Sequence, residues 1–460
     1  MSHSFAPSVL REYDIRGVVG QTLNSDDAYA IGRSFGTVVS RAGGRSVAVG
    51  YDGRLSSPML EGALVRGLND AGIHALRIGI GPTPMLYYAE AENAVDGGIQ
   101  ITGSHNPADY NGFKFVFQHR PFFGADIQTL GQMAQSGDWA SGSAGCDWIS
   151  VMDDYVDRLM LGFADGAFRI GWDAGNGAAG PVIEKLVQRL PGKHYTLFTD
   201  IDGNFPNHHP DPTEDHNLVD LRALVARERL DFGVAFDGDG DRIGVIDAQG
   251  RAIAGDQLLA LLAEPVLRKR PGSTIIADVK ASQSVFERIA QLGGQPLMWK
   301  TGHSLMKSKM KETGSPLAGE TTGHLFFADD YYGFDDALYA AIRLIRSVHA
   351  TGRSVTEMAD AMPKTVSTPE LRFPIEEIRK FAVVDTIIAR LRAQEARANF
   401  TDGARVDTDD GWWLLRASNT QDMLVARAEG RDEAALARVL SELDSELLAL
   451  GVSRPTGSGN

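Results

Sequence analysis

The sequence has one cysteine and no long apolar run, and these absences limit the class of protein. Cys146 alone excludes an internal disulfide and is typical of a reducing compartment. No run of 18 apolar residues occurs, so no membrane-spanning helix is predicted. The first residues lack a basic segment followed by a long apolar one, so no secretory signal is predicted. We therefore expect a cytoplasmic protein that does not contact a membrane.

Basic residues are also in short supply, since 45 Lys and Arg stand against 60 Asp and Glu, which gives a net charge of −15. Nucleic acid binding is disfavoured because it needs a basic surface. An anionic small molecule is still allowed, because it needs only a locally positive site. The composition, 43% hydrophobic and 23% charged, is that of a globular protein, and 460 residues allow three or four domains.

What the sequence does contain is an acidic, glycine-rich segment at residues 237–242, which we call the metal loop. The apolar run 232–236 predicts a strand that delivers Asp237, Asp239 and Asp241 into one tight turn. Three carboxylates so close together repel one another unless a cation lies among them. Hard oxygen ligands select Mg²⁺, Mn²⁺ or Ca²⁺ over softer metals. The loop therefore predicts a divalent metal site, and metal with oxygen ligands points to phosphate chemistry.

Two other interpretations of the metal loop are weaker. An EF-hand loop that starts at Asp237 needs Gly at its sixth position and Glu at its twelfth. The sequence has Arg242 and Ala248 there, so both tests fail. A simple polar turn also uses Asp and Gly. That interpretation is disfavoured because three carboxylates directly after a buried strand are costly without a cation.

A second candidate segment is Thr102-Gly-Ser-His-Asn-Pro107, which we call the serine loop. Ser104 is a candidate nucleophile or phosphate carrier, and Pro107 suits the first turn of a helix whose free N–H groups hold an anion. A hydrolase pair of Ser104 and His105 is disfavoured, because adjacent residues in a turn rarely hydrogen-bond as nucleophile and base and the G-x-S-x-G elbow is absent. A capping serine is the open alternative.

Two further polar segments carry groups suited to a sugar phosphate. In the sugar loop, residues 319–324, Glu320 lies beside hydroxyls and can grip vicinal sugar hydroxyls, and His324 ends the segment. In the phosphate loop, residues 416–420, one guanidinium and three small hydrogen-bonding side chains suit a phosphate clamp. For the sugar loop alone, a surface turn is the favoured interpretation, and for the phosphate loop alone, a solvated turn is an equally good one.

The chain also predicts an internal repeat. Apolar runs end at Asp52, Asp173 and Asp278, and each is typical of a buried strand followed by a turn and a helix. The serine, metal and sugar loops follow at similar offsets. We expect three related α/β units, each presenting one loop at a strand end, where ligands bind in open α/β sheets. After about residue 365, strands near 370–375 and 411–416 and a helix over 432–450 predict a smaller fourth unit.

Together these segments, from about Arg11 to Glu429, closely resemble the α-D-phosphohexomutase superfamily, and within it the phosphomannomutase/phosphoglucomutase branch. The serine loop T-G-S-H-N-P followed by the metal loop D-G-D-G-D-R is specific to it. The resemblance implies three related mixed α/β domains and a smaller C-terminal α+β (TBP-like) domain around a central cleft. The expected domains are 1–148 with the serine loop, 149–253 with the metal loop, 254–365 with the sugar loop and 366–460 with the phosphate loop.

The resemblance also implies a reaction, its cofactors and its residues. The reaction is the reversible interconversion of hexose 1-phosphate and hexose 6-phosphate, for mannose and glucose, through a phosphoserine and a hexose 1,6-bisphosphate intermediate. The implied cofactors are Mg²⁺ and, as activator, glucose 1,6-bisphosphate, and a monomer is expected, with a dimer as the alternative. The implied metal ligands are Ser104, Asp237, Asp239 and Asp241. The implied catalytic residues are Ser104, Lys114, Arg242 and His324, of which Lys114 and His324 are both candidates for the general base. The implied substrate-binding residues are Tyr13, Arg16, Lys280, Gly302, His303, Glu320, Thr322, Arg416, Ser418, Asn419 and Thr420.

The sugar loop departs from the usual pattern. Dual-specificity members usually have G-E-M-S-G-H there, whereas this chain has Thr321 and Thr322. Thr322 keeps the hydroxyl but adds a methyl group, which bears on sugar preference. Phosphoglucosamine mutases usually have S-A-S-H-N and R-x-S-G-T in the serine and phosphate loops, and this chain has neither. That activity is still the nearest alternative, followed by a phosphoserine-dependent sugar-phosphate hydrolase and a non-catalytic sensor.

Overall fold

The computed structural model describes residues 2–418 and 422–453. Within these ranges, 22 strands form four sheets and 14 α-helices pack around them. No helix in the described ranges is both long and apolar enough to cross a membrane. The sequence predicted three related α/β units and a smaller α+β unit, and this fold class is confirmed.

The first unit is a sheet with helices packed on it. Its strands are β1 (Ile15–Val18), β2 (Ser46–Tyr51), β3 (His74–Ile80), β4 (Gly97–Ile101), β5 (Tyr110–Phe117), β6 (Arg120–Pro121) and β7 (Cys146–Trp148). Its helices are α1 (Ser25–Arg41), α2 (Ser57–Asp70), α3 (Thr83–Glu92) and α4 (Ala125–Ser136). The strand order is β1-β5-β4-β2-β3-β7, with β6 beside β5.

Helices α1 and α2 lie unusually close together because glycines face each other across their contact. A Cβ on Gly32 would lie 2.2 Å from the backbone oxygen of Leu64, and one on Gly67 would lie 2.2 Å from that of Tyr29. Only glycine allows backbones to approach this closely. The close contact fixes α2, whose first turn follows the end of β2 and therefore lies beside the serine loop.

The second and third units follow in the chain. The second contains α5 (Met152–Met160), β8 (Phe168–Asp173), α6 (Gly180–Val187), β9 (Gly192–Leu197), a 3₁₀ turn (Asp215–Leu218), α7 (Val219–Glu228), β10 (Phe232–Phe236), β11 (Ile243–Asp247) and β12 (Ala252–Ile253). The third contains α8 (Gly255–Lys269), β13 (Thr274–Asp278), α9 (Gln283–Gln291), β14 (Gln295–Trp299), α10 (His303–Thr313), β15 (Leu317–Gly319), β16 (Leu325–Phe327), α11 (Ala337–Thr351) and α12 (Val355–Asp360). Their sheets are ordered β12-β11-β10-β8-β9 and β14-β13-β15-β16.

The three units share one four-strand arrangement. The orders β5-β4-β2-β3, β11-β10-β8-β9 and β16-β15-β13-β14 match strand for strand. In each set of four, the first three strands in sequence are parallel and the fourth returns antiparallel. The serine, metal and sugar loops follow β4, β10 and β15, which are equivalent strands. The predicted repeat is therefore confirmed, and the three loops lie at equivalent sheet ends.

The fourth unit is a six-stranded sheet with two helices. Its elements are β17 (Val366–Ser367), β18 (Leu371–Pro374), α13 (Glu377–Ala393), β19 (Ala398–Asn399), β20 (Ala404–Asp407), β21 (Gly411–Ala417), β22 (Met423–Gly430) and α14 (Glu433–Leu448). All its strand pairs are antiparallel. The side chain of Asp432 caps α14, which buries Leu436, Val439, Leu443 and Leu447 on one face and partly buries Leu440. Both strands and the helix predicted here are present.

Candidate active site

The three aspartates of the metal loop form a fully buried acidic cluster. Asp237, Asp239 and Asp241 each have no exposed area, and one carboxylate oxygen of each lies within 4.8 Å of the others. The loop is tightened by the backbone N–H groups of Asp241 and Arg242, which both donate to Asp237 Oδ1 at 3.1 Å. Burial raises the pKa of Asp237 well above its ordinary value, and the nearby Asp239 and Asp241 raise it further. A cation bound among the three carboxylates would therefore relieve their mutual repulsion.

Lys114 on β5 provides the nearest counter-charge. Its Nζ lies 2.8 Å from Asp239 Oδ2 and also donates to Asp241. Burial alone would lower the pKa of Lys114, but the two carboxylates raise it well above its ordinary value. Lys114 is therefore cationic at neutral pH, which suits charge neutralisation better than proton acceptance.

The acidic cluster has the donor set that a hard metal ion needs. Asp239 Oδ1 is buried and has no hydrogen-bond partner, and the buried Asp241 Oδ1 has a long contact to His324 Nε2 at 3.3 Å. A buried carboxylate oxygen without a partner is costly, and a metal ion removes that cost. The Ser104 hydroxyl donates to Asp237 Oδ2 at 3.0 Å, which brings a fourth oxygen to the cluster. Oxygen ligands alone favour Mg²⁺, Mn²⁺ or Ca²⁺.

The backbone at Ser104 shapes the serine loop in a way that the sequence did not predict. Ser104 has φ +49°, in the left-handed region, and its Oγ lies 3.2 Å from His105 Nδ1. The expectation that these neighbours would not hydrogen-bond was wrong. Burial lowers the pKa of His105 well below its ordinary value, and Arg242 and Arg16 lower it further. The ring is therefore neutral, and because the Ser104 hydroxyl donates its one proton to Asp237 Oδ2, the His105 Nδ1–H is the donor in this contact.

The helix expected after Pro107 is absent from the described structure. The chain turns at residues 108–109 and enters β5 at Tyr110. The physical reason is the hairpin of β4 and β5, which brings the chain straight back along the sheet. No helix N-terminus is available at this point of the described chain to hold an anion, so the serine loop must hold a phosphate by other groups.

His324 joins the sugar loop to the metal loop. Its Nδ1 lies 2.8 Å from Glu320 Oε2, and its Nε2 lies 3.3 Å from Asp241 Oδ1 and 3.3 Å from Arg242 Nε. Burial would lower the pKa of His324, but Asp241 and Glu320 raise it to about 9. The two loops are also joined by the backbone, since Ile243 N donates to Gly323 O at 3.1 Å. The second and third units therefore share one charged centre.

This raised pKa predicts a pH-dependent contribution of His324 to stability. The pKa of about 9 in the folded protein exceeds the ordinary 6.5. The stabilisation should therefore be complete below about pH 6.5 and lost as the pH rises through 9. At low pH it amounts to about 3 kcal/mol, at about 1.4 kcal/mol per pKa unit. We expect His324→Gln to lower the thermal midpoint of the metal-free protein by several degrees at pH 6 and by much less at pH 9.5, as measured by calorimetry in EDTA.

The control for this experiment is His349→Gln, which removes a half-exposed histidine of α11. Its midpoint should match the wild type at both values of pH. A loss for His324→Gln that is equal at pH 6 and pH 9.5 would contradict a charge effect and indicate packing instead.

Tyr13, Gly302 and His303 lie together beside Glu320. Gly302 N donates to Glu320 Oε1 at 2.5 Å, and Gly302 has φ +130°. A Cβ there would lie 2.6 Å from the Tyr13 ring, so glycine is required both by backbone and by contact. The His303 ring lies 6.1 Å from that of Tyr13 and 5.7 Å from that of His324. The structure therefore brings these predicted residues together around the sugar loop.

The phosphate loop is linked through Asp402 to the segment that carries Gly302 and His303. Arg416 Nε donates to Asp402 Oδ2 at 3.0 Å, and the same oxygen accepts from Thr301 N at 3.2 Å. Ser418 is 6% exposed. The predicted residues Asn419 and Thr420 lie outside the described residues. Through Asp402, Arg416 is connected to the segment that carries Gly302.

Lys280, Thr322 and Arg16 complete the predicted set. Lys280 Nζ lies 4.0 Å from Asp278 Oδ2 and 3.5 Å from Glu370 Oε2. The Thr322 hydroxyl lies 3.3 Å from His324 Nδ1. Arg16 donates to the side chain of Asn106 in the serine loop. Arg16 and Thr322 thus contact the serine and sugar loops, and Lys280 is linked to the sugar loop through Asp278, which accepts from Thr321 Oγ1 at 2.7 Å.

Sequence reasoning missed two aspartates that organise this site, the partly buried Asp402 and the fully buried Asp335. Asp402 pairs with Arg416, as described above. Asp335 accepts from Lys307 Nζ at 2.9 Å and lies 3.6 Å from His303 Nδ1. Asp335 directly precedes the helix-capping Asp336, so its sequence context indicates only a helix start. No local signal distinguishes either residue from a surface carboxylate.

Comparison with known proteins gives a consistent result along the whole chain. The phosphoglucomutase/phosphomannomutase domain families match as follows: α/β/α domain I at residues 8–139, α/β/α domain II at 145–250, α/β/α domain III at 254–366 and the C-terminal domain at 370–446. Phosphomannomutase/phosphoglucomutase of Pseudomonas aeruginosa is 43% identical over 462 residues, which cover 99% of each chain. Phosphoglucomutase of Neisseria gonorrhoeae is 41% identical over 444 residues, or 95% of this chain and 96% of the relative.

A solved structure of the same family is also similar to this chain over its full length. A phosphoglucomutase/phosphomannomutase family protein from Burkholderia thailandensis matches with a TM-score of 0.91 and 42% sequence identity, over 99% of both chains. The four-unit arrangement is thus that of a known crystal structure.

Proposed function

The chain belongs to the phosphoglucomutase/phosphomannomutase family, and we propose that this enzyme exchanges a phosphoryl group between Ser104 and hexose phosphates. It is an isomerase that interconverts hexose 1-phosphates and hexose 6-phosphates, the activity for which relatives that cover 95–99% of the chain are named. The observation that carries the phosphoserine role is the Ser104 hydroxyl, which lies 3.0 Å from Asp237 within the buried acidic cluster. A nucleophile placed there suits phosphoryl transfer.

The proposed cycle has two transfers. In the first, phospho-Ser104 gives its phosphoryl group to the free hydroxyl of a bound hexose monophosphate. The Oγ–P bond breaks, a P–O bond to the sugar forms, the sugar hydroxyl loses its proton and Ser104 Oγ takes one up. The hexose 1,6-bisphosphate then reorients in the cleft, so that its two phosphates exchange places, and it returns its other phosphoryl group to Ser104. Glucose 1,6-bisphosphate is the proposed activator because it phosphorylates Ser104 directly.

The metal loop and Lys114 stabilise charge during transfer. Asp237, Asp239 and Asp241, with an oxygen on Ser104, are the proposed Mg²⁺ ligands, supported by their burial and by the unpartnered Oδ1 of Asp239. When bound, Mg²⁺ neutralises charge on the transferring phosphoryl group. Lys114 adds a fixed positive charge beside it.

Proton transfer is best assigned to His324. General acid–base catalysis is most efficient when the pKa of the group lies near the working pH. The pKa of His324 is about 9, whereas that of Lys114 is raised well above its ordinary value, which already exceeds 9. Glu320 holds Nδ1 and leaves Nε2 as the atom that exchanges a proton. Arg242 lies beside Nε2 and orients the ring.

The remaining predicted residues bind substrate in this proposal. Glu320 and Thr322 contact sugar hydroxyls, and Arg416 with Ser418, Asn419 and Thr420 grips the phosphate that does not react. Because Arg416 pairs with Asp402, an incoming phosphate competes with Asp402 for the guanidinium. The further contacts fall to Tyr13, Arg16, Lys280, Gly302 and His303.

We also propose the division of the chain at residues 148, 253 and 365, which is supported by the four separate sheets. A monomer is proposed, with a dimer as the alternative. A cytoplasmic location is proposed on the single exposed Cys146, which is free.

The first test is a mutase assay with Mg²⁺ and a trace of glucose 1,6-bisphosphate. We expect comparable kcat/KM values for glucose 1-phosphate and mannose 1-phosphate, with a difference of at most about 200-fold, because a single methyl group at Thr322 changes binding by only about 1–3 kcal/mol. Formation of each 6-phosphate is followed with coupled dehydrogenases.

Glucosamine 1-phosphate is the comparison substrate. Activity on it alone would reassign the enzyme to phosphoglucosamine mutation. Release of inorganic phosphate in step with substrate loss would instead indicate a hydrolase, and no turnover of any of the three would indicate a sensor.

A further inference from the structure

Arg54 lies directly beneath the serine loop and binds its backbone. It follows β2, and its side chain has no exposed area. Its guanidinium donates to four backbone carbonyl oxygens: Ser104 at 2.7 Å, Asn106 at 2.6 Å, Pro107 at 2.5 Å and Tyr110 at 3.0 Å. One side chain thus holds the loop from the serine to the start of β5.

Asp52 holds the other side of the same loop. It accepts from Thr102 Oγ1 at 2.9 Å and from Gly103 N at 3.1 Å. Asp52 also balances the buried charge of Arg54, since Arg54 Nε donates to its Oδ2 at 3.1 Å. A buried ion pair is tolerated when its remaining donors and acceptors are satisfied, and here the loop backbone satisfies them. Removing Arg54 would leave several buried carbonyls without a donor.

The conformation that Arg54 supports is not one that a serine adopts readily. Ser104 has φ +49°, in the left-handed region. Such a conformation persists only where the surrounding contacts fix it. The contact to Ser104 O fixes the backbone at the residue whose Oγ faces Asp237 at 3.0 Å. The direction of the proposed phosphoryl carrier therefore depends on Arg54.

Gly103 supports the same conclusion independently. A Cβ at this position would lie 2.4 Å from both Cζ and Nε of Arg54. The backbone of Gly103 is not in the left-handed region, so conformation alone does not require glycine there. The close approach of the guanidinium requires it. The glycine of the T-G-S-H-N-P segment is thus explained by Arg54.

We propose that Arg54 is a positioning residue for phosphoryl transfer, which acts by fixing the serine loop so that Ser104 Oγ stays directed at the metal loop. This inference rests on the proposed role of Ser104 as phosphoryl carrier. Arg54 donates no hydrogen bond to the sugar loop or to the described residues of the phosphate loop, 416–418. Its loss should therefore slow transfer and leave substrate affinity largely intact.

The test is Arg54→Lys, which keeps the charge but cannot bind four carbonyls with one flat group. The full-length enzyme is phosphorylated with glucose 1,6-bisphosphate and mixed with excess glucose 6-phosphate, and loss of the phosphoryl group from the protein is followed by rapid quench and intact mass. We expect this single-turnover rate to fall about 100-fold, as for a misplaced reacting group. The Kd for glucose 1-phosphate, by calorimetry, should change less than about threefold.

The matched control is Arg343→Lys. Arg343 on α11 is also buried, and its two terminal nitrogens each donate to one carboxylate oxygen of Asp329 at 2.7 Å. These hydrogen bonds involve none of the predicted site residues. A similar fall in thermal midpoint for both variants, with slow transfer only for Arg54→Lys, supports positioning. Equal slowing in both variants, or a normal transfer rate in Arg54→Lys, would overturn it.

Gly103→Ala disturbs the same contact, because its Cβ would displace the Arg54 guanidinium. It is the substitute test if Arg54→Lys folds poorly. It should slow transfer by a comparable factor. In the double variant the two effects should not multiply, because both remove one contact. Full multiplication would mean that the two residues act independently and would overturn the proposal. If the wild type itself forms no phosphoserine, the proposed function fails, which is a separate and recognisable result.

Discussion

Replacing Ser104 with alanine is expected to lower mutase turnover by at least about 10⁴-fold while the protein stays folded. The reaction needs a group that accepts one phosphoryl and returns another, and removal of a covalent nucleophile commonly costs this much or more. Stability should change little. Alanine removes a single oxygen atom at a residue that is 2% exposed, and the backbone contact to Arg54 does not involve the hydroxyl. The measurements are kcat with glucose 1-phosphate and the thermal midpoint.

Ser347→Ala provides the control for loss of a buried serine hydroxyl. Ser347 has no exposed area and lies on α11, where its Oγ donates to Leu261 O at 3.4 Å. This variant should keep full turnover. Normal turnover by Ser104→Ala, with no phosphoryl group on any other residue by intact mass, would refute the phosphoserine cycle.

The places of the four loops could be predicted from the sequence because each follows a strand that the sequence marks clearly. The runs that end at Asp52, Asp173 and Asp278 are mainly apolar, as buried strands are, and they correspond to β2, β8 and β13. The serine, metal and sugar loops follow the neighbouring strands β4, β10 and β15. Equivalent strands place equivalent loops at the same end of each sheet. The chemical type of each loop then followed from its residues, such as the carboxylates after β10.

The local shape of the loops could not be predicted in the same way. The hydrogen bond from Ser104 to His105 and the absence of a helix after Pro107 both depend on backbone geometry. Arg54 fixes that geometry from 50 residues away in the chain. The pairing of Asp402 with Arg416 could not be predicted for the same reason. It forms only when β20 and β21 pair and bring the two residues together. Contacts between distant segments leave no local pattern in the sequence.

Substituting Asp237 with asparagine is expected to separate activity from stability. The change removes one of the proposed metal ligands, and we expect kcat to fall about 10³-fold, as when a main electrostatic contact to the transition state is lost. Without metal, however, the variant should be at least as stable as the wild type. Burial, with Asp239 and Asp241, raises the pKa of Asp237 well above its ordinary value. Ionised Asp237 therefore costs stability at neutral pH, and asparagine removes that cost.

Thermal unfolding with and without Mg²⁺ tests both halves of this expectation. Excess Mg²⁺ should raise the midpoint of the wild type, because it binds the folded state, and should barely move that of Asp237→Asn. The control is Asp247→Asn, since Asp247 is also fully buried in the second unit but is paired with Arg251 at 2.8 Å. It should lose stability in EDTA and keep the Mg²⁺ response. A midpoint of Asp237→Asn well below the wild type in EDTA would show that repulsion within the acidic cluster is not the dominant effect. An undiminished Mg²⁺ response would place the metal ion elsewhere.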